Sequence, residues 1–467
     1  MDTRKRSIRV LMFPWLAHGH ISPFLELAKA LSKRNFIIYI CSSSINLNTI
    51  KKTFPPKYSI SIKLVELQIP KTPQLPPHYH TTNGLPPHLM DHLKRALDSA
   101  RPAFSNILKT LQLDLVIYDF LQPWAPEEAA LQNIPAVVFF STGAAASSFI
   151  MYHCFGARSP YPFPSIYLRE YEYGNFCRLV RPTSCDANDH VRVSECIKRS
   201  FNVVLMKTFR ELEGKYIEFH SELTRKKVVP VGPLVQLDDG INNDNTFRDE
   251  KNDRIIEWLD QKDRRSTIFA SFGSEYFLSE NEIEEIGCGL ELSKVNFIWV
   301  LRFPFREKIT IDEKLPKGFL ERVRGRGMVV EDWAPQRRIL LHPSVGGFMS
   351  HCGWSSVTEG IFSGVPIVAV PMHLDQPLNA RLVEEVGVGE EVVRGKDGRF
   401  ERDEVARVVK RVLEGEELRR RATEMSEMVR EKGEEELDEV VEELVGLCKR
   451  DERLNHESQS SMMGLNI

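Results

Sequence analysis

Short runs of almost purely apolar residues, each of strand length, alternate with longer amphipathic stretches through most of this chain. In the first half they are residues 8–14 (IRVLMFP), Phe36–Ser42 (FIIYICS), 113–120 (LDLVIYDF) and 135–140 (PAVVFF). In the second they are 266–274 (STIFASFGS), 296–302 (NFIWVLR), Val345–Ser350 and 366–372. Strands that are apolar on both faces are buried on both faces, as in parallel sheets covered by helices. The stretches between them read as those helices. Residues 23–34 carry Phe24, Leu27, Ala28 and Leu31 at helical spacing, and 282–293 carry Ile283, Ile286, Leu290 and Leu292 in a similar way. The alternation predicts βαβ units and doubly wound α/β sheets.

One such sheet cannot absorb the whole chain. Its 467 residues exceed the roughly 250 at which single cores stop growing, so two domains are expected. The boundary is predicted at the polar run QLDDGINNDNTFRDEKNDR, residues 236–254. It separates a domain over 1–235 from one over 255–432. A final acidic amphipathic helix over 433–450 then packs back on the first domain, and a disordered tail over 451–467 follows. Two doubly wound domains create a cleft at the C-terminal ends of their strands, the usual ligand position in such folds.

Composition narrows the partners. A net charge of −3 offers no long-range attraction for nucleic acid or anionic membrane, so any anion site must be local. No run approaches the ~20 apolar residues of a membrane span. The polar start MDTRKRS and the broken apolar run after it do not read as a secretory signal. Eight scattered cysteines with no CxxC pair fit reduced thiols, and a cytoplasmic monomer is expected.

The densest chemistry lies in residues 333–376, WAPQRRILLHPSVGGFMSHCGWSSVTEGIFSGVPIVAVPMHLDQ. Trp333, Ala334, Pro335 and Gln336 follow a strand over 327–330 and offer an indole face for a flat base. The run HCGWSS follows the strand Val345–Ser350 and opens a helix, which Ser355 or Ser356 can cap, with Glu359 in its first turn. A small glycine-containing turn at a helix N-terminus is an anion site, and His351 can add a donor. His373, Leu374, Asp375 and Gln376 end another strand, where an acid beside an amide suits sugar hydroxyls.

This stretch resembles the signature box of the plant UDP-dependent glycosyltransferases (family 1, inverting). Residues 13–23 (FPWLAHGHISP), Tyr118-Asp119, Val231-Gly232-Pro233 and Phe272-Gly273-Ser274 resemble the same family. The resemblance covers about residues 8–449 and implies the GT-B architecture, two Rossmann-like domains facing across a cleft, with acceptor bound by the first and UDP-sugar by the second. It implies that Trp333 stacks on uracil, that Ala334 supplies backbone contacts, and that Gln336 and Glu359 reach the ribose. His351, Ser356 and Ser274 would hold the diphosphate. Asp375, Gln376 and the Trp354 backbone would hold the sugar. Ser141 stands where the family often has Thr near phosphate and sugar. Ser355 departs from the Asn of most members, which weakens a direct contact from it to phosphate.

The resemblance further implies that His20 is the general base and Asp119 its orienting partner, while His18 reads as structural. Gln376 in the last box position usually accompanies UDP-glucose. No cofactor is implied, and the absence of any Asp-x-Asp triplet predicts that no metal is required. Trp15 and Trp124 read as packing or acceptor-pocket residues, Lys226-Lys227 as surface. Residues 36–46, 80–87 (HTTNGLPP), 209–216 (FRELEGKY) and 272–276 (FGSEY) resemble the clade that extends sugar chains on flavonoid, terpenoid, lignan or carotenoid-derived glycosides. A glycoside acceptor is therefore expected, with an aglycone hydroxyl as the alternative. A nicotinamide oxidoreductase would need Gly-x-Gly-x-x-Gly after a strand, which is absent. A non-catalytic sugar-nucleotide binder would keep the box and lose His20 and Asp119.

Overall fold

The apolar runs become two parallel sheets. The computed structural model describes residues 6–156, 159–180, 189–235, 250–273, 276–303, 311–331 and 333–463. Among these, the first sheet comprises β1 (Ile8–Phe13), β2 (Phe36–Ser42), β3 (Ile62–Glu66), β4 (Leu115–Asp119), β5 (Ala136–Phe140), β6 (Val203–Met206) and β7 (Lys227–Pro230), in the order β3-β2-β1-β4-β5-β6-β7. The second comprises β8 (Thr267–Ser271), β9 (Asn296–Leu301), β10 (Gly327–Glu331), β11 (Val345–Ser350), β12 (Ile367–Ala369) and β13 (Gly389–Glu391), in the order β10-β9-β8-β11-β12-β13. Both are Rossmann-like: the order reverses direction beside β1 in one and beside β8 in the other, which opens a crevice at the strand ends.

Three central strands are buried throughout. β4 and β5 are buried at every residue, and β11 likewise. The strands that sequence reading passed over are short or lie at edges. β3 (IKLVE) has only Ile62 fully buried, and β13 has three residues.

Helix boundaries differ from the pattern at three places, each for a local reason. The first helix begins at His18, not Pro23, because Pro23 removes only the bond that its own amide would make to Gly19. The helix Glu280–Ser293 starts two residues early, fixed by a capping box: Ser279 N donates to Glu282 Oε2 (2.9 Å) and Glu282 N to Ser279 Oγ (3.4 Å). The last helix is continuous over Glu416–Met463, well beyond 433–450, since no proline interrupts it. Residues 236–249 of the boundary run lie outside the described residues, and Glu250–Asp260 is already helical.

That last helix crosses from one half to the other. Ser426 Oγ donates to Phe362 O (2.6 Å) in the second half. Further along, Val440, Leu444 and Leu447 are buried in the core beneath the first sheet, with Val10, Leu27 and Phe139. Each contributes roughly 1.5–3 kcal/mol by leaving water. Arg34 joins them through Glu434 (2.6 Å) and Asp438 (2.8 Å).

Candidate active site

Two side chains far apart in sequence meet at the C-terminal end of the first sheet. Asp119 is the last residue of β4, and His20 lies in the first turn of the helix His18–Ser32 that follows β1. β1 and β4 pair in parallel with Phe13 opposite Tyr118, so both strands deliver their ends to one place. Asp119 Oδ2 lies 2.8 Å from His20 Nδ1. The carboxylate is fully buried while the imidazole stays 20% exposed. Phe120 flanks it at 5.1 Å between ring centroids. A buried carboxylate on Nδ1 favours the tautomer that carries its proton there, and stabilises the imidazolium once the other nitrogen takes a proton.

The opposite wall comes from β11 and the turn after it. Cys352 adopts a left-handed backbone (φ 61°), which swings the chain into the helix Trp354–Phe362. The N-cap is Gly353, without a side-chain cap. Ser355 and Ser356 therefore do not cap this helix; they occupy its first turn, where their amides have no intrahelical acceptor. Glu359 falls in the second turn, not the first. Ser355 Oγ instead accepts from Lys207 Nζ at 2.9 Å. The Trp354 indole donates to Lys207 O (2.5 Å) and packs on Gly143, where an added Cβ would sit 3.0 Å from the ring. Ser356 is buried in the same turn, and Ser141 is buried at the end of β5.

His351 ends this turn's approach. Its ring is wedged between Gly273 and Gly353: a Cβ at either would come within 2.6 Å of Nε2. Burial, with the nearby charge of His373, pushes its pKa down to about 4, so it is a neutral hydrogen-bonding group. Its Nδ1 is buried without a protein partner among the described residues. Ser274, the residue after Gly273, lies outside the described residues.

Trp333 and Ala334 follow β10. The Trp333 indole is 60% exposed and meets the His18 ring edge-on at 6.4 Å, so His18 links the helix His18–Ser32 to this loop. Sequence reading set His18 aside; only the approach of the two domains brings it here. Gln336 Nε2 donates to Glu359 Oε2 at 2.7 Å, which ties the Trp333 loop to the helix. Burial raises the Glu359 pKa, against the Gln336 hydrogen bond and the charges of Lys207 and Arg337.

The loop after β12 carries the last pair. Gln376 Oε1 accepts from the amides of Met372 (3.0 Å) and His373 (3.1 Å), which leaves its NH2 as a donor. Asp375 accepts from Asn379 Nδ2 (2.9 Å). Burial raises its pKa, against that bond and the charges of His373 and His20. Asp375 and His20 are thus within electrostatic reach of each other across the cleft. Apart from Ser274, the predicted residues converge on this cleft. Trp15 and Trp124 do not; both are buried core side chains, with Trp124 Nε1 bonded to Asp98 at 2.8 Å.

Known proteins carry the same arrangement of halves. Residues 6–236 match the family described as "Glycosyltransferase, N-terminal domain", and residues 228–444 match "UDP-glucoronosyl and UDP-glucosyl transferase". The chain is 51% identical over 457 residues to UDP-glucosyltransferase 29 of Panax ginseng, spanning 96% of this chain and 99% of that one. It is 51% identical over 443 residues to the beta-D-glucosyl crocetin beta-1,6-glucosyltransferase of Gardenia jasminoides, spanning 93% and 98%. A UGT of Glycyrrhiza uralensis complexed with glycyrrhetinic acid 3-O-monoglucuronide shares the fold at a TM-score of 0.81, over 99% of this chain and 100% of that one, at 23% identity. Both halves match in order, and relatives half-identical to the chain run almost its full length: it belongs to the UDP-dependent glycosyltransferases and is a GT-B enzyme of that family.

Proposed function

We propose that this enzyme transfers glucose from UDP-glucose, with inversion, to a sugar hydroxyl of an existing flavonoid, terpenoid or lignan glycoside, with His20 as base and no metal. The observation that carries the chemistry is the 2.8 Å His20–Asp119 pair at the cleft. The acceptor hydroxyl gives its proton to His20 Nε2 as its oxygen attacks the anomeric carbon. The bond from that carbon to the β-phosphate oxygen breaks on the opposite face, and its electron pair leaves with UDP. Asp119 holds the imidazolium. The uncapped amides at the start of the Trp354–Phe362 helix face the developing charge on the diphosphate. Trp333 supplies the exposed ring for uracil, Glu359 with Gln336 the ribose contacts, and Asp375 beside the Gln376 NH2 an acceptor and a donor for neighbouring glucose hydroxyls.

The acceptor reading draws on the loop that precedes His20. One clade-like run packs against it and a second packs on the first: Thr82 N and Thr81 Oγ1 donate to Leu16 O (3.0 and 3.3 Å), and Ser43 Oγ donates to His80 O (2.6 Å). The Gardenia relative, named for a glucosylated acceptor, supports the same reading. A site built to hydrogen-bond a sugar rejects an acceptor that lacks one by large factors. Paired kinetics on one glycoside and its aglycone should show kcat/KM favouring the glycoside by on the order of 100-fold or more. The NMR linkage should place the new bond on the existing sugar. Equal use of the aglycone would reduce the proposal to its alternative, direct aglycone glucosylation.

Among the described residues no cluster of three or more His, Cys, Asp or Glu side chains is arranged to hold a metal ion. Activity is expected to survive EDTA with little change. Loss on chelation, restored by magnesium or manganese, would overturn the metal-free mechanism.

A further inference from the structure

Among the described residues, the donor site described above contains two carboxyls, Glu359 and Asp375, and one guanidinium, Arg337, whose charge already acts on Glu359. His351 is neutral, since burial holds its pKa near about 4. UDP brings a polyanionic diphosphate into this setting, and helix amides alone offer only partial charges. Lys207 stands at this point. It follows β6, and its side chain is only 2% exposed. Its Nζ lies 2.9 Å from Ser355 Oγ in the first turn of the Trp354–Phe362 helix. Among the described residues it forms no ion pair, and Ser355 is its single hydrogen-bond acceptor. A buried ammonium with two unused N–H groups is costly unless an anion joins it.

We infer that Lys207 is the cation at the diphosphate seat: its ammonium contacts the UDP diphosphate at the start of that helix and stabilises UDP as leaving group. This rests on reading the helix start as the diphosphate seat. Lys207 reaches across from the acceptor-side domain, so the diphosphate is held from both halves. The main-chain link between the halves, from Trp354 Nε1 to Lys207 O, does not depend on the side chain. Replacing the side chain therefore tests the ammonium alone.

Charge at Lys207 is linked to UDP. Burial lowers its pKa to about 8, while the charges of Glu359 and Glu26, the titratable groups that face it, act in the opposite direction. A bound diphosphate raises that pKa again. Below about pH 8 the ammonium is already formed and UDP binds without proton uptake. Above it, binding must draw a proton from solvent, and UDP affinity falls as pH rises.

Calorimetric titration of the full chain at about pH 8.5, in two buffers of different ionisation enthalpy, reads this directly. Wild-type protein is expected to take up roughly 0.7 proton per UDP and almost none per uridine. Lys207→Met should abolish the uptake and weaken UDP on the order of 100-fold, with uridine changed less than about three-fold. Lys207→Arg, charged at this pH, should keep most of the UDP affinity without the uptake. Absence of proton uptake in the wild type at every pH from about 7.5 to 10 overturns the inference even if neither variant folds. Equal loss of UDP and uridine in Lys207→Met also overturns it, and marks Lys207 as a latch between domains. Retained preference for UDP over uridine in that variant sinks Lys207 alone. A wild type that binds UDP no better than uridine sinks the diphosphate seat itself.

Discussion

His20→Ala is expected to lower turnover by at least roughly 100-fold, the ordinary worth of a positioned general base. The Kd for UDP should stay within about two-fold, because the ring is placed at the acceptor hydroxyl and not at the nucleotide. Asp119→Asn should act through His20. An amide at 2.8 Å from Nδ1 can donate where the carboxylate accepted, which turns the imidazole to the tautomer that cannot take the acceptor's proton. Loss of the imidazolium's counter-charge compounds this, and comparable triads lose up to about 10,000-fold. Single-turnover kinetics with pre-bound UDP-glucose separates these effects from donor binding. Near-wild-type turnover in His20→Ala removes it from the mechanism, and a parallel loss of UDP affinity reassigns it to the donor site.

The largest expected effect on stability comes from Arg381. This side chain is 1% exposed, lies on the helix Gln376–Glu385 and is clamped by two acids. Its Nη2 is 3.0 Å from Glu172 Oε1, its Nη1 pairs with Glu391, and its guanidinium lies 4.9 Å from the centre of the Tyr167 ring. Glu172 and Tyr167 belong to the segment between β5 and β6, so this cluster fastens the first half to the helix that begins with Gln376. Arg381→Ala strands the buried Glu172 carboxylate and leaves Glu391 only its longer contact with Arg169 (3.3 Å), and should cost about 3–5 kcal/mol, read as a fall in the denaturant midpoint. Adding Glu172→Gln and Glu391→Gln should recover much of that loss, because the penalty lies in unpaired charge. A single-variant loss below about 1 kcal/mol would show that water reaches the pair and screens it.

The sequence made some of this legible and hid the rest for physical reasons. His20 and Asp119 are 99 residues apart. Each follows an apolar run, and in a doubly wound sheet such strand ends converge, so their meeting could be anticipated. The stretch 333–376 was legible because it supplies consecutive strand ends of one sheet. Lys207 was not. It follows a four-residue strand, and its partner is 148 residues away in the other domain. Glu213 was equally hidden. It sits in a clade-like run, yet its carboxylate accepts from the amides of Ala144 (2.9 Å) and Ala145 (2.7 Å), capping a helix 68 residues upstream. Burial pushes its pKa to about 7. Lys226 and Lys227 read as surface; Lys227 is exposed and pairs with Glu443, while Lys226, half-buried, donates from Nζ to Ser200 O. Local periodicity reports which face of an element is buried; it carries no information about which distant element supplies the other side.

The path of the last helix bears on how members of this family can be recombined. A hybrid that joins residues 1–235 of this chain to the second half of a relative imports a foreign closing helix along with the foreign second domain. That helix must then fill the seats of Val440, Leu444 and Leu447 and offer Arg34 its two carboxylates. The first domain's core is therefore made of two pieces of chain, one from each end of the sequence. Recombination that respects it needs a second crossover within the final helix, between the Ser426 contact with the second domain and the Glu434 contact with Arg34.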